Sequence, residues 1–318
     1  ISILVLVLIG IWSLIWWLFD NFKSIVSITI SVLTPYFVPN ENKTLIERYG
    51  NWAVITGATD GIGKQYSIEL ASRGLNIVLI SRTKEKLINV ANEIESKYHV
   101  KTKWFAYDFS QGDAIYEDIK KDLESIPVGI LVNNVGRMYD FPDDLDNIPE
   151  KLLLDILNIN VAAVTMMTRM VIPKMKKLGK GAIVNISSGS ELQPLPYMAV
   201  YSASKTYVKN FTLAIQSELS PFGITVQLIT PMYVQTKMNE YSTSVMNGGI
   251  FFPDVVAYTK SAVFTLGKTS KTTGYWSHGL QYGVMKLVPE HIRMIGGEHL
   301  NKKFRQEYYD QQEKKLIN

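Results

Sequence analysis

Tyr201 and Lys205 stand four residues apart in Tyr201-Ser202-Ala203-Ser204-Lys205, the spacing that puts two side chains on one helix face. A phenol beside an ammonium is a proton-transfer pair. Left alone, a tyrosine titrates near pH ~10 and is a poor acid or base at neutrality, whereas a fixed cation favours its phenolate. The spacing also arises by chance, so its meaning depends on what surrounds it. The 318 residues include no cysteine, which excludes disulfides, thiolate nucleophiles and cysteine-based zinc sites. Redox chemistry here would need a borrowed cofactor. His99, His278, His291 and His299 lack the paired spacing of metal ligands and read as ordinary surface or core histidines, so no metal is expected. A net charge of +4 with no basic run interleaved with aromatics argues against nucleic acid.

The elements that must position the pair follow from hydrophobic patterning. Apolar runs at 52–55, 76–80, 103–106, 129–132, 182–186 and 224–229 read as strands. The segments 61–73, 83–98, 112–124, 149–178 and 201–220 have helical length and period. Strands spaced by helices make βαβ units, so an α/β fold is expected: a Rossmann-type doubly wound parallel sheet with helices on both faces. The domain is expected to span 40–285. After Pro231 the alternation weakens into a Met- and aromatic-rich region, and 286–318, with Lys302, Lys303, Lys314 and Lys315, reads as a polar tail of solvated helices.

Ile1 to Phe19 is almost unbroken apolar sequence, with Trp12, Trp16 and Trp17 crowding one end before Asp20, Asn21 and Lys23. About 20 such residues span a bilayer, and indoles favour its interface. A cleaved signal peptide would have a shorter apolar region ending in small residues. A retained membrane anchor is therefore expected within 1–39, with Ser24 to Pro39 lying in the interface. Lys43, Arg48 and later basic residues favour a cytosolic domain. Because the sequence starts at Ile1 without a methionine, upstream residues are expected to be missing.

The first strand runs into Thr56-Gly57-Ala58-Thr59-Asp60-Gly61-Ile62-Gly63-Lys64, where a helix starts. Glycines at 57, 61 and 63 permit a tight turn and close approach of a pyrophosphate to helix N-terminal N–H groups. The second strand ends in Ser81-Arg82, where an NAD site usually places an acid on the ribose 2′-hydroxyl. A guanidinium suits a 2′-phosphate instead, so NADP(H) is the expected cofactor. Asp108, after the third strand, and Asn133-Asn134-Val135-Gly136, after the fourth, fall where open sheets bind ligands.

TGATDGIG at 56–63, NNVG at 133–136, Asn160, Ser188, YSASK at 201–205 and Pro231 together resemble the short-chain dehydrogenase/reductase family over about residues 50–240. GATDGIGK (57–64), ILVNNVG (130–136) and ISSGS (186–190) are similar to the membrane-anchored group containing 17β-hydroxysteroid dehydrogenase type 12 and the very-long-chain 3-ketoacyl-CoA reductases. ELASRGLNIVLISR (69–82) and TTGYWSH (272–278) resemble the hydroxysteroid dehydrogenase-like branch more closely. That branch is described as inactive because its tyrosine is replaced; Tyr201 is intact here.

The resemblance implies roles residue by residue. Tyr201 would be the general acid/base, with Lys205 lowering its pKa and bonding the nicotinamide ribose. Ser188, thirteen residues earlier, would bond the substrate carbonyl, and Asn160 would hold a water linking Lys205 to solvent. Gly57, Thr59, Asp60, Gly61, Ile62, Gly63, Arg82, Asp108, Asn134, Pro231 and Thr236 would hold the cofactor, Thr236 at its carboxamide. Pro231-Met232 replaces the family's Pro-Gly. The implied reaction is NADPH-dependent reduction of a hydrophobic ketone, a steroid or a long-chain 3-ketoacyl-CoA, facing Leu195, Tyr197, Met198, Met232, Tyr233 and Met238. The rival is a silent NADPH-binding membrane protein; an NAD-dependent oxidative enzyme conflicts with Arg82. A homodimer through 149–178 and 201–220 is expected. The endoplasmic reticulum is the favoured location and the mitochondrion the alternative, with Lys314 and Lys315 one place off a KKxx retrieval signal.

Overall fold

The computed structural model describes residues 2–37 and 44–317; Pro39 and Lys43 lie outside the described residues. Seven parallel strands form one sheet in the order β3-β2-β1-β4-β5-β6-β7. They are β1 (Trp52–Thr56), β2 (Asn76–Ser81), β3 (Thr102–Ala106), β4 (Val128–Asn133), β5 (Gly181–Ile186), β6 (Ile224–Ile229) and β7 (Lys271–Thr272). Helices cover both faces, so central strands are buried on both sides and their sequences run nearly continuously apolar rather than alternating. β4 and β5 are buried at every residue.

Each helix lays an apolar stripe on the sheet. On one face lie α3 (Gly61–Ala71), α4 (Lys84–Tyr98) and α10 (Val255–Phe264), with Leu87, Val90, Ala91 and Ile94 of α4 at helical spacing in the core. On the other lie α5 (Tyr116–Asp122), α7 (Ala163–Leu178) and α8 (Ala199–Leu219). The buried stripe of α8 runs Tyr201, Lys205, Val208, Thr212, Ile215, Leu219. The proton-transfer pair therefore occupies the first two positions of a core-facing face. Short helices α2 (Leu45–Tyr49), α6 (Glu150–Leu157) and α9 (Thr243–Met246) complete this part of the chain.

A buried polar ladder ties this second face to the sheet. Asn133 Nδ2 donates to Thr168 Oγ1 at 2.9 Å and Asn185 Oδ1 at 2.8 Å, and Asn185 Nδ2 donates to Thr212 Oγ1 at 3.0 Å. It fixes β4, β5, α7 and α8 against one another where apolar packing alone would tolerate sliding.

The structure differs from the sequence reading in three places. Segment 149–178 is one helix in outline, but Asn158–Ala162 forms a π-helical turn between α6 and α7. By length and composition Glu150–Leu178 could cross a membrane, yet α7 packs on β4 and lays Met167, Val171 and Met175 in the core. At the N-terminus, α1 (Ser2–Phe37) is one continuous helix rather than a span followed by an interfacial segment. No glycine interrupts it after Gly10. Ile3–Phe19 of α1 is exposed throughout, with Ile3 79% and Trp12 62% accessible, and the helix runs against β7 and α11 (Trp276–Leu287). Finally, 290–317 is not a solvated appendage. It forms α12 (Glu290–Ile317), which buries Asn301 and Phe304 and stacks Tyr308 on Phe141 at 4.1 Å.

Replacing Asn185 by Ala removes one ladder bond outright and one acceptor of Asn133. We expect a loss of about 2–4 kcal/mol of stability, read as a lower urea midpoint at unchanged slope; an unmoved midpoint would mean the ladder does not hold the layers.

Candidate active site

The chain leaves β1 and β4 toward opposite faces of the sheet, opening a crevice at their carboxyl ends. The loop after β1 fills its floor. Gly57 and Gly61 take φ of +66° and +51°, values that favour glycine. A Cβ on Gly63 would come within 2.3 Å of the Gly57 carbonyl oxygen and of Asn134 Nδ2, so only glycine lets α3 start this close to β1. Asn134 pins the loop by donating from Nδ2 to the Thr56 carbonyl at 3.0 Å, while Thr56 Oγ1 accepts from the N–H groups of Asn134 and Val135. Asp60 caps α3, its Oδ1 accepting from Gly61 N at 2.8 Å, and its Oδ2 pairs with Lys237 at 2.9 Å. Burial alone would raise the Asp60 carboxyl, but Lys237 and the Gly61 N–H hold it below the usual value.

Gly57, Asp60, Gly61, Ile62, Arg82, Asn134, Pro231 and Thr236 all line the crevice. Thr59 and Asp108 do not: Thr59 Oγ1 bonds Ser81 Oγ at 2.9 Å, and Asp108 Oδ1 caps a short turn at Ser110 N. Gly63 lies behind the lining, at the contact described above. Glycines open to a helix N-terminus fit the pyrophosphate of a nicotinamide dinucleotide, and the Arg82 guanidinium stands exposed at the end of β2.

Ser188 follows β5 and opens a short turn at Gly189–Leu192, its Oγ accepting from Ser190 N at 3.2 Å. Tyr201 approaches from α8 and lines the crevice with Ser188 and Ser190. Lys205 Nζ donates to the Ile186 carbonyl at 3.1 Å and lies 5.8 Å from the Tyr201 ring centre. Ser187 Oγ donates to the Lys205 carbonyl at 3.0 Å, so β5 and α8 are stitched together from both sides.

The sequence reading has Lys205 pulling the Tyr201 pKa down. In the structure burial dominates, raising the Tyr201 phenol above its ordinary value, with Ser188 and Ser190 working the other way. Burial also lowers Lys205 to about 8, opposed by the Glu191 carboxylate. Both groups have left water, and the ammonium is turned toward a carbonyl.

Asn160 sits in the π-helical turn, a device that often re-aims a functional side chain. Its Oδ1 accepts from Arg137 N at 2.8 Å, and its Nδ2 donates to the Arg137 carbonyl and to Ser204 Oγ, both at 2.9 Å. Ser204 Oγ in turn donates to the Tyr201 carbonyl at 2.7 Å. Asn160 does not line the crevice, but it braces both the loop that follows β4 and the helix that carries Tyr201.

Beyond the pair the crevice continues, the whole forming one cavity of about 1050 Å³. Leu195, Met198, Met232, Tyr233 and Met238 line it as expected, whereas Tyr197 does not and packs instead against Arg305 and Lys302. Sequence reasoning missed the opposite wall, where α11 and α12 supply Met285, Ile292, Leu300 and Phe304, with Arg293 and Lys303 beside them. The repeat Leu300, Phe304, Tyr308 at four-residue spacing was the available signal.

Pro231-Met232 keeps its turn through His278. Met232 N donates to His278 Nδ1 at 3.3 Å, and the Tyr233 carbonyl lies 3.2 Å from Nε2, which places the proton on Nε2. Gly189 makes room for the larger residue, since a Cβ there would meet Met232 Sδ at 2.3 Å.

Comparison with known proteins bears on this arrangement. The short chain dehydrogenase family profile matches residues 51–247. The chain is 45% identical over 279 residues to human inactive hydroxysteroid dehydrogenase-like protein 1, covering 87% of this chain and 84% of that protein. It is 41% identical over 265 residues to human very-long-chain 3-oxoacyl-CoA reductase, covering 81% and 82%. The solved short-chain dehydrogenase from Sphingobium yanoikuyae in complex with NADPH superimposes with a TM-score of 0.64 at 26% identity, over 75% of this chain and 96% of that one.

Burial drives His278 from 6.5 down to about 4. Between those values the unfolded chain binds the extra proton, so stability rises with pH there and falls by roughly 3 kcal/mol as pH drops through the window. We expect His278→Gln to flatten that part of the stability profile, measured by denaturant unfolding from pH 4 to 7; parallel profiles would contradict it.

Proposed function

The chain belongs to the short-chain dehydrogenase family of oxidoreductases, and from that premise we propose that it reduces the ketone of a hydrophobic substrate with NADPH. The observation that carries this reading is Tyr201 and Ser188 side by side on a large, mainly apolar cavity adjoining a dinucleotide cradle. The nicotinamide, when bound, supplies the hydride. The chain's own residues do the rest. Ser188 Oγ and the Tyr201 hydroxyl hold the carbonyl oxygen, where negative charge grows during reduction and fixed donors help most. Tyr201, kept protonated by burial, gives its proton to that oxygen. Lys205, still largely an ammonium at neutral pH, stabilises the phenolate that remains. Asn160 keeps α8 and the loop after β4 in place.

Arg82 supports NADPH over NADH. The cavity suits either a steroid or a long acyl chain, and the basic Arg293 and Lys303 on its wall favour a substrate with an anionic end, as in a 3-ketoacyl-CoA. The exposed run Ile3–Phe19 of α1 supports a membrane anchor, with the endoplasmic reticulum ahead of the mitochondrion as the membrane. Exposed Leu154, Leu157 and Leu213 on α6 and α8 support homodimerisation through those helices.

The second reading, a silent NADPH-binding protein, draws on the similarity to a protein named inactive. An NADPH-consumption screen of the full chain with steroid ketones and 3-ketoacyl-CoAs separates the two. In that assay Tyr201→Phe should lower turnover roughly 10²–10⁴-fold with NADPH affinity retained; undiminished turnover would remove Tyr201 from the mechanism. Arg82→Ala should weaken NADPH binding about 10- to 100-fold and leave NADH unaffected, and an equal loss for both would end its role in cofactor choice.

A further inference from the structure

Gln193 brings a buried amide to the wall of a mainly apolar chamber and leaves its oxygen unbonded. It follows the short turn at Gly189–Leu192, is only 7% exposed and lines the cavity, and its Oε1 has no hydrogen-bond partner among the described residues. Burying an amide oxygen unpaired costs stability that an apolar side chain of similar size would not. A Cβ on Gly297 of α12 would lie 4.0 Å from Gln193 Nε2, so the amide faces α12 there. One turn earlier on the same helix face stands Arg293, which also lines the cavity and has its Nε buried without a partner. Three other cations of α12 are engaged: Lys302 with Glu298 at 2.7 Å, Lys303 with Glu307 at 3.8 Å and Arg305 with Asp143 at 2.9 Å. Among the described residues Arg293 has no such pair. Beside it α12 carries Gly296-Gly297, although glycine inside a helix costs stability. Packing explains Gly297, whose Cβ would come within 2.7 Å of Leu195 Cδ2. Gly296 lines the cavity with nothing within 4 Å of the place its Cβ would take, so the chamber stays open between the two polar groups and the reacting pair.

We propose that Gln193 and Arg293 form a second polar subsite, which holds an anionic oxygen group of the substrate, a carboxylate or a phosphate ester, apart from the reacting ketone. This deepens the reductase reading and rests on it for the identity of the cavity as the substrate chamber. A guanidinium meets two oxygens of such a group with parallel N–H donors, and the Gln193 amide adds another. Away from bulk water these bonds are stronger, and the buried polar atoms gain the partner that the protein does not supply. The pair thus selects ketones that carry an anionic group over neutral ketones of the same length.

The test measures by titration calorimetry how tightly the full chain, saturated with NADP⁺ so that the cofactor cradle is filled, binds decanoate, decyl phosphate and decanol. The better anion should bind wild type roughly 10- to 100-fold tighter than decanol, and which anion leads identifies the group. Arg293→Met, which keeps an apolar stem in the wall, should erase that preference, and Gln193→Leu should reduce it several-fold. Gln193→Leu should also leave the urea midpoint unmoved or raised, because it removes an unpaired buried oxygen. Equal affinity for all three probes in wild type overturns the proposal, as does a preference that survives Arg293→Met. A lowered midpoint with the preference intact in Gln193→Leu would make Gln193 a structural residue and remove it from the subsite. Failure of the reductase reading is distinguishable: wild type would then consume no NADPH with any ketone, while the ranking of the three probes would still decide the subsite.

Discussion

Between β1 and β4 the chain departs to opposite faces of a parallel sheet, and the gap this leaves at the carboxyl edge is the constraint on which the site depends. It admits a ligand only if the backbone on its floor has almost no side chains, because α3 must begin nearly in contact with β1. Gly63 meets that demand at the tightest point, where a single methyl group would strike both a carbonyl and an amide. Asn134 then locks the floor to the next strand. Selection for ligand access and for close packing thus falls on the same residues.

A second constraint follows from placing polar machinery on a core-facing helix stripe. Tyr201 and Lys205 occupy positions that apolar residues fill further along α8. Burial makes ionisation harder for the phenol and neutralisation easier for the lysine, so their chemistry cannot be inferred from proximity. It depends on the surrounding carbonyls, hydroxyls and carboxylate. The dense bonding between β5, the Ser188 turn and α8 holds the geometry that makes such a balance usable.

Much of this was legible in the sequence because it is local. Strand lengths, the glycine loop and the four-residue spacing of Tyr201 and Lys205 each express a short-range rule. Six of the seven strands follow from apolar runs, whereas the two residues of β7 are too few to carry a pattern. Thr59 and Asp108 stand at the right strand ends yet are engaged by neighbouring loops, and only three-dimensional contacts reveal that. Asn160 was identifiable by motif, but the π-helical turn that aims it leaves no periodic trace. Glu191 drew no attention in the sequence; its burial comes from β6, β7 and α11, all distant in sequence. The charge-rich look of α12 concealed a sparse apolar seam, because most of that helix faces solvent and only a few positions touch the domain.

That seam has a consequence for how such proteins diversify. The residues proposed to react come from strand ends and α8, while the far wall of the cavity comes from α11 and α12. Chamber shape and bond-making are therefore encoded in separate stretches of chain. Drift or recombination in α11 and α12 can retune which molecules fit without disturbing a reacting atom, so two paralogues could share every reacting side chain and still serve different metabolites.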